Sequence, residues 1–442
     1  MKRERILLCK PKMCGRELDF IRAALAEDWA VPLGPDCDAF EHELEKFVNQ
    51  ISIMRNAQCK MQNEFPENYS LGIAHCALNK KVVALSAGTA AVHLALIACG
   101  VQAGDEVIVQ SFTFCASSHP VTYLGATPVF VDSERDTWNM DPELLEEAIR
   151  DRIAKTGRKP KAIVPVALYG MPYRIDRIME IADRYGIPVI EDAAEGFGSR
   201  FNGRVLGTFG RYGVLSFNGN KMITTSGGGA LICDDDEAKR QIMWYATQAR
   251  ESYPYYQHEA IGYNYRMSNI CAGIGRGQMT VADEHIAHHR HVQALYEELL
   301  KDVDGIKMHT APSSEYDSNY WLCTATLNEG LRIKNEESAY AEVITGAVGG
   351  AAGVTHATKS AHTDLEPNTN VEALRMYLDG AGIESRPVWK PMHSQPVYKN
   401  APAYTNGVSE SLFKVGICLP AGPWVTDDHV RYIVSKIKEA IA

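Results

Sequence analysis

Apolar residues in this chain fall into two alternating patterns. Short apolar-rich runs occur at Val82–Leu85, Val107–Val109, Ala126–Asp132, Ala162–Ala167 and Pro188–Asp192, the third and last of them ending in acids. Between them lie stretches of helical periodicity, Ala90–Ala98, Pro142–Ile153 and Ile175–Tyr185. Apolar strands alternating with helices predict an α/β fold with a mostly parallel sheet covered on both faces. Val214–Phe217 and Ala230–Cys233 are two further strands. A polar turn, Asn218-Gly219-Asn220-Lys221, and a Gly227-Gly228-Gly229 run separate them.

Outside this alternation the pattern changes. Residues 11 to 48 predict an amphipathic helix, a turn at Val31-Pro32-Leu33-Gly34-Pro35, and a second helix through Phe40, Leu44 and Phe47. Trp29 and this turn suit packing, or the wall of a site. Residues 49 to 80 lack periodicity and read as an irregular excursion. One long helix is expected over roughly 270 to 302, linking two domains. The chain therefore divides into a large domain, 11–285, and a smaller C-terminal α+β domain, 286–442. A small-residue run, Gly346–Gly353, marks an extra loop or element between about 333 and 370.

Composition narrows the class. The 442 residues carry a formal net charge of −10, against the basic surplus usual for nucleic-acid binders. The eleven cysteines are scattered without a C-x-x-C pair, which predicts reduced thiols in the cytoplasm and neither disulfides nor zinc. No apolar run approaches the ~20 residues of a membrane span, and the apolar run after the basic N-terminus is too short for a signal peptide. Four histidines cluster at His285, His288, His289 and His291. No carboxylate or cysteine completes a metal site with them, so a solvated helix face is expected.

Candidate chemistry gathers after the predicted strands, where ligands of parallel sheets sit. Ser86-Ala87-Gly88-Thr89 joins a strand to a helix. Glycine there lets a backbone approach an anion, and the free N–H groups of the helix start face it. Ser and Thr equally suit an ordinary N-cap. Phe112 and Phe114 share one strand face, for stacking on an aromatic ligand or for the core. Asp192 ends a buried strand, either as a helix N-cap or as the carboxylate partner of a protonated ring nitrogen. Lys221 sits on a turn between apolar strands. A surface lysine on a hairpin is the plain alternative. Burial would favour the free amine that attacks carbonyls, and the three glycines leave room for a flat ligand.

Taken in order, Ser86-Ala87-Gly88-Thr89, Phe114, Glu191-Asp192-Ala193-Ala194-Glu195, Ser216-Phe217-Asn218-Gly219-Asn220-Lys221, Gly262-Tyr263-Asn264-Tyr265-Arg266 and Arg386-Pro387-Val388-Trp389-Lys390-Pro391-Met392-His393 resemble the DegT/StrS-type nucleotide-sugar aminotransferases. The resemblance spans about residue 11 to the C-terminus. It implies the aspartate-aminotransferase-like fold, type I of the pyridoxal phosphate (PLP) enzymes, with a seven-stranded-type sheet. It implies that Lys221 holds PLP as a Schiff base and then acts as acid and base, and that Asp192 pairs with the pyridine nitrogen. Gly88, Thr89 and Ser216 would bind the phosphate, and Phe114 would stack on the ring. Glu195 falls where the family often has Gln or His beside the 3-hydroxyl. Asn264, with Arg266, would reach the partner subunit's site in a homodimer. His393 and Trp389 would lie near the sugar nucleotide. The implied substrates are glutamate, leaving as 2-oxoglutarate, and a UDP-linked 4-keto-6-deoxy-N-acetylhexosamine used for surface polysaccharide or glycan. Two rivals share the fold. A PLP-dependent sugar dehydratase replaces the lysine by histidine, whereas Lys221 is present here. A cofactor-bound regulator would need no turnover, and the chain shows no appended DNA-binding module.

Overall fold

A computed structural model describes residues 5–50, 78–331, 333 and 365–441. Residues 51–77 and 334–364, which hold most of the two expected extra segments, lie outside them. The strands that matter here are β1 (Lys81–Leu85), β2 (Glu106–Gln110), β3 (Thr127–Val131), β4 (Ala162–Val164), β5 (Ile190–Asp192), β6 (Tyr212–Ser216) and β7 (Gly229–Cys233). C-terminal to these come β8 (Ile306–Met308), β9 (Cys323–Leu327), β10 (Arg386–Pro387), β11 (Ala403–Tyr404) and β12 (Gly416–Leu419).

Two four-stranded ladders, β1-β7-β6-β5 and β11-β3-β2-β4, lie side by side. Parallel bridges Ile163↔Val189 and Val166↔Asp192 join β4 to β5. The pairs β5/β6, β2/β3, β2/β4 and β3/β11 are parallel; β7 runs antiparallel to both neighbours. The connection from β6 to β7 runs over 217–228 and holds the Lys221 turn. The strands are apolar and buried nearly end to end. Each fully buried Val, Leu or Ile contributes about 1.5–3 kcal/mol. A separate antiparallel sheet, β8-β9-β12-β10, packs its own core around Val292, Tyr296, Leu374 and Ile433.

The helices begin with α1 (Glu17–Ala26), α2 (Pro35–Val48), α3 (Gly88–Ala98), α4 (Pro142–Thr156) and α5 (Ile175–Tyr185). Local chemistry sets their ends. Asp141 accepts from the N–H groups of Glu143 and Leu144, Pro142 opens α4, and Gly157 at φ 70° closes it.

The expected single helix over 270–302 is two: α6 (Asn269–Met279) and α7 (Ala282–Leu300). Thr280 breaks it, its N–H bonding to the Gly277 carbonyl at 3.2 Å and its hydroxyl to the same oxygen at 2.7 Å. In α6 the glycines admit close neighbours. A Cβ on Gly277 would lie 2.8 Å from the Glu17 nitrogen, and one on Gly275 2.7 Å from the Phe40 ring. The histidine cluster is only partly a solvated face: His291 is exposed and His288 half-buried. His285 and His289 are buried, and their Nδ1 atoms pair with the carbonyls of Met222 and Tyr320, each at 3.2 Å. Burial lowers both imidazoles, His289 to about 3, so both are neutral near pH 7. They hold two backbone turns rather than a metal.

Candidate active site

The C-terminal ends of β1, β5 and β6 open into one cavity of about 310 Å³. Gly88, Thr89, Phe114, Asp192, Glu195, Ser216, Lys221 and Trp389 all line it. These residues are far apart in sequence; parallel strand order brings their ends together.

At one wall lies the start of α3. Its N-cap is Ala87 in an extended conformation, and no side chain caps it. The ordinary N-cap weighed from sequence is therefore not what Ser86 and Thr89 provide. The first N–H groups of the helix stay available toward the cavity, with its positive dipole end. Gly88 must be small: a Cβ there would stand 3.1 Å from the Ser216 Cβ. The glycine run also serves chain packing. A Cβ on Gly229 would meet the Gly88 nitrogen at 2.4 Å, so Gly229 lets β7 approach the helix start. Gly227 and Gly228 line the cavity.

Asp192 ends β5, and no helix follows it, so it is not a helix cap. The Ser117 hydroxyl donates to its Oδ2 at 2.6 Å and the Ala194 N–H to its Oδ1 at 3.1 Å. Burial raises its carboxyl above the ordinary range, against the pull of these donors and of Lys221. A cation placed against it would restore the charged form.

Lys221 follows a turn closed by its own N–H on the Asn218 carbonyl at 2.9 Å. The strand before the turn is anchored by Phe217, fully buried against Phe40 and Phe197. The lysine side chain is 13% exposed, so the surface-hairpin alternative fails. Its Nζ lies 3.4 Å from Glu195 Oε1. Glu195 Oε2 accepts from the Tyr169 N–H at 2.7 Å. Burial pushes Glu195 upward too, with Lys221 the main opposing influence. Phe114 is 52% exposed and stands near Trp389 (5.8 Å between centroids) at the mouth, while Phe112 is in the core.

Three expected residues lie outside this chain's cavity lining. His393 is outside the cavity lining: Ser111 Oγ pairs with its Nδ1 at 2.5 Å and Glu410 Oε1 with its Nε2 at 3.1 Å. Both ring nitrogens are engaged, so its ring supports the segment carrying Trp389. Arg266 is outside the cavity lining as well. Its guanidinium is buried, paired with Glu41 and bonded to the Ala84 carbonyl at 3.1 Å, where it ties 262–266 to β1. Asn264 is exposed, outside this chain's cavity, near the exposed Tyr253, Tyr255, Tyr256 and Ile261 in sequence.

Sequence reasoning missed Ser117, Tyr169 and Trp321. Ser117 lies three residues after Phe114 in a serine-rich string, which is a weak signal. Tyr169 and Trp321 reach the site through a backbone N–H and a ring face, for which no pattern exists.

The donor set fits PLP: an uncapped helix start with Thr89 and Ser216 hydroxyls for a phosphate, a buried carboxylate lacking a full counter-charge for a ring cation, and a sheltered amine for an aldehyde. Among the described residues no helix is long and apolar enough to cross a membrane, and no metal-ligand cluster occurs.

Comparison with known proteins agrees with this geometry. The profile of the DegT/DnrJ/EryC1/StrS aminotransferase family matches residues 51–347 and 349–438. EpsN of Bacillus subtilis, provisionally described as a pyridoxal phosphate-dependent aminotransferase, is 39% identical over 435 residues, 98% of this chain and 94% of its own. GDP-perosamine synthase of Escherichia coli is 32% identical over 430 residues, 97% of each. A solved DegT DnrJ EryC1 StrS aminotransferase from Brucella abortus superposes with a TM-score of 0.76 at 26% identity, over 96% of this chain and 95% of that one.

Proposed function

Because the chain belongs to the DegT/DnrJ/EryC1/StrS aminotransferase family, we propose that it moves an amino group from glutamate to the ketone of a nucleotide-linked 4-keto-6-deoxy sugar. A UDP-linked N-acetyl-4-ketohexosamine is the first candidate. The chain is an enzyme, an aminotransferase dependent on PLP. The observation that carries the reading is the convergence of Lys221, Asp192, Gly88 and Thr89 on one cavity.

Bound PLP supplies an electron sink for the carbanion formed when a proton leaves the amino donor. The protein's own residues then have defined tasks. The N–H groups at the start of α3, with the Thr89 and Ser216 hydroxyls, hold the phosphate. Asp192, oriented by Ser117 and the Ala194 N–H, keeps the ring nitrogen protonated. Lys221 Nζ carries the proton taken from and returned to carbon, and Glu195 Oε1 stands close enough to steady that charge. Phe114 and Trp389 shelter the mouth from water. Alternation of two substrates on one site predicts ping-pong kinetics. The working form is a homodimer in which Asn264 of each chain reaches the other's cavity. The exposed Tyr253, Tyr255, Tyr256 and Ile261 in the preceding segment support this.

The test is the reverse reaction. UDP-, GDP- and dTDP-linked 4-amino sugars are offered with 2-oxoglutarate, and glutamate is measured. One nucleotide class should turn over at least tenfold faster than the others (~1.4 kcal/mol). Glutamate from none of them would overturn the sugar assignment.

A further inference from the structure

Lys221 is held by more than its own turn. Its Nζ lies 3.9 Å from the centroid of the Trp321 ring, as well as 3.4 Å from Glu195 Oε1. Trp321 is only 2% exposed, and its Nε1 donates to the carbonyl of Asn220 at 2.6 Å, the residue before the lysine. Its backbone N–H donates to Asn319 Oδ1 at 2.8 Å. Asn319 Nδ2 donates in turn to the carbonyls of Glu195 and Phe197, each at 2.9 Å. One short segment is thus bonded both to the lysine turn and to the segment bearing Glu195. Between Asn319 and Trp321, Tyr320 has φ 49°, a conformation costly for a residue with a side chain. His289 clamps its carbonyl. Strain held in place beside a reactive group points to a positioning task.

We propose that the Trp321 ring face and the Glu195 carboxylate form the resting seat of the Lys221 ammonium whenever that amine is not bonded to the cofactor. The inference rests on the aminotransferase reading and deepens it. In each half-reaction the amine must leave the cofactor carbon and later return. An amine released into solvent would gain rotamer freedom and lose its aim. A ring face attracts the ammonium without forming a hydrogen bond that must later break. Trp321 is a positioning residue here, acting through the lysine. Asp192 and the Cys9 thiol, which burial keeps neutral by raising it to about 12, also face the amine.

The full chain, stripped of PLP, tests this through the pH dependence of PLP uptake followed by absorbance. Only the neutral amine adds to the aldehyde, with loss of water, so uptake depends on pH. The seat favours the charged form; weakening it moves the inflection to lower pH. Trp321→Leu should shift it down by ~0.5–1.5 pH units, while Trp321→Phe retains most of the wild-type profile. Uniform replacement of the six tryptophans by fluorinated tryptophan keeps the shape and depletes the ring face. It should give a smaller shift in the same direction, and it serves if Trp321→Leu does not fold. An inflection unmoved by fluorination, or by Trp321→Leu in a folded protein, overturns the seat. Borohydride trapping separates the two claims. A wild-type chain that traps no PLP on Lys221 refutes the aminotransferase reading itself. Trapping with an unmoved profile refutes the seat alone.

Discussion

The inner and outer ends of the cavity are built differently. The inner end takes its residues from strand termini, one helix start and the turn after β6: Thr89, Asp192, Ser216 and Lys221. Backbone in regular structure fixes Thr89, Asp192 and Ser216, the turn closed on the Asn218 carbonyl fixes Lys221, and short bonds such as Ser117 to Asp192 at 2.6 Å add to this. The outer end is made of Phe114 and Trp389, aromatic faces on irregular segments, the first half-exposed. Behind them, His393 is tied to Ser111 and Glu410. The inner end is a rigid frame for one chemistry. The outer end is made of side-chain faces on irregular segments, which suits a family whose named members differ in nucleotide sugar.

Four substitutions sharpen this contrast. Lys221→Ala should have the largest effect, a loss of at least ~10⁴-fold in steady-state turnover, since it removes both the carbonyl-reactive amine and the proton carrier. Near-wild-type turnover would end its assignment. Asp192→Asn should cost roughly 10²–10⁴-fold in kcat, the scale of breaking a buried charge pair. Trp389→Ala should raise KM for the sugar nucleotide roughly tenfold, at the upper end of one aromatic contact, with kcat little changed. A fall in kcat with constant KM would move Trp389 to the inner end. His393→Ala should lower stability by about 1–3 kcal/mol, the cost of an orphaned buried hydrogen-bonding group, and leave KM unchanged. A KM effect without a stability effect would return His393 to the substrate.

The smallest prediction concerns pH. Burial raises Asp192 in the chain without cofactor, so the folded carboxyl titrates above the unfolded one. Its favourable contribution is full below the ordinary aspartate value and is lost as pH rises through the folded value. Asn cannot ionise and avoids that loss. Apo Asp192→Asn should therefore melt ~1–3 °C above apo wild type at pH 7, with the gap closing on acidification. A gap that widens in acid would mean that Asp192 is stabilised as a carboxylate.

The same contrast explains what the sequence could show. Strand runs such as Val82–Leu85 and the strand ends at Asp192 and before Lys221 were legible, because burial on both faces leaves an unbroken apolar signature. The cofactor-end residues were legible through their places after those strands and through the family resemblance. The glycine run was half understood: its room serves the approach of β7 to Gly88 as much as any ligand. The break at Thr280, the buried histidines of α7 and the Trp321 contact were not legible. Each depends on a neighbour distant in sequence, and a His or Trp at helical or loop spacing looks the same whether it faces water or a carbonyl. The contacts of His393 and Arg266 were not legible for a related reason: polar residues near a motif are as readily used to hold the site's supports.

The central claim is that one amine, on Lys221, is the PLP-reactive group. Reduction of the PLP-loaded protein with borohydride, followed by peptide mass spectrometry, tests it most directly. A pyridoxyl group on Lys221 alone is the predicted result. The same group on another lysine, such as the buried Lys80, or none on an active enzyme, would contradict it.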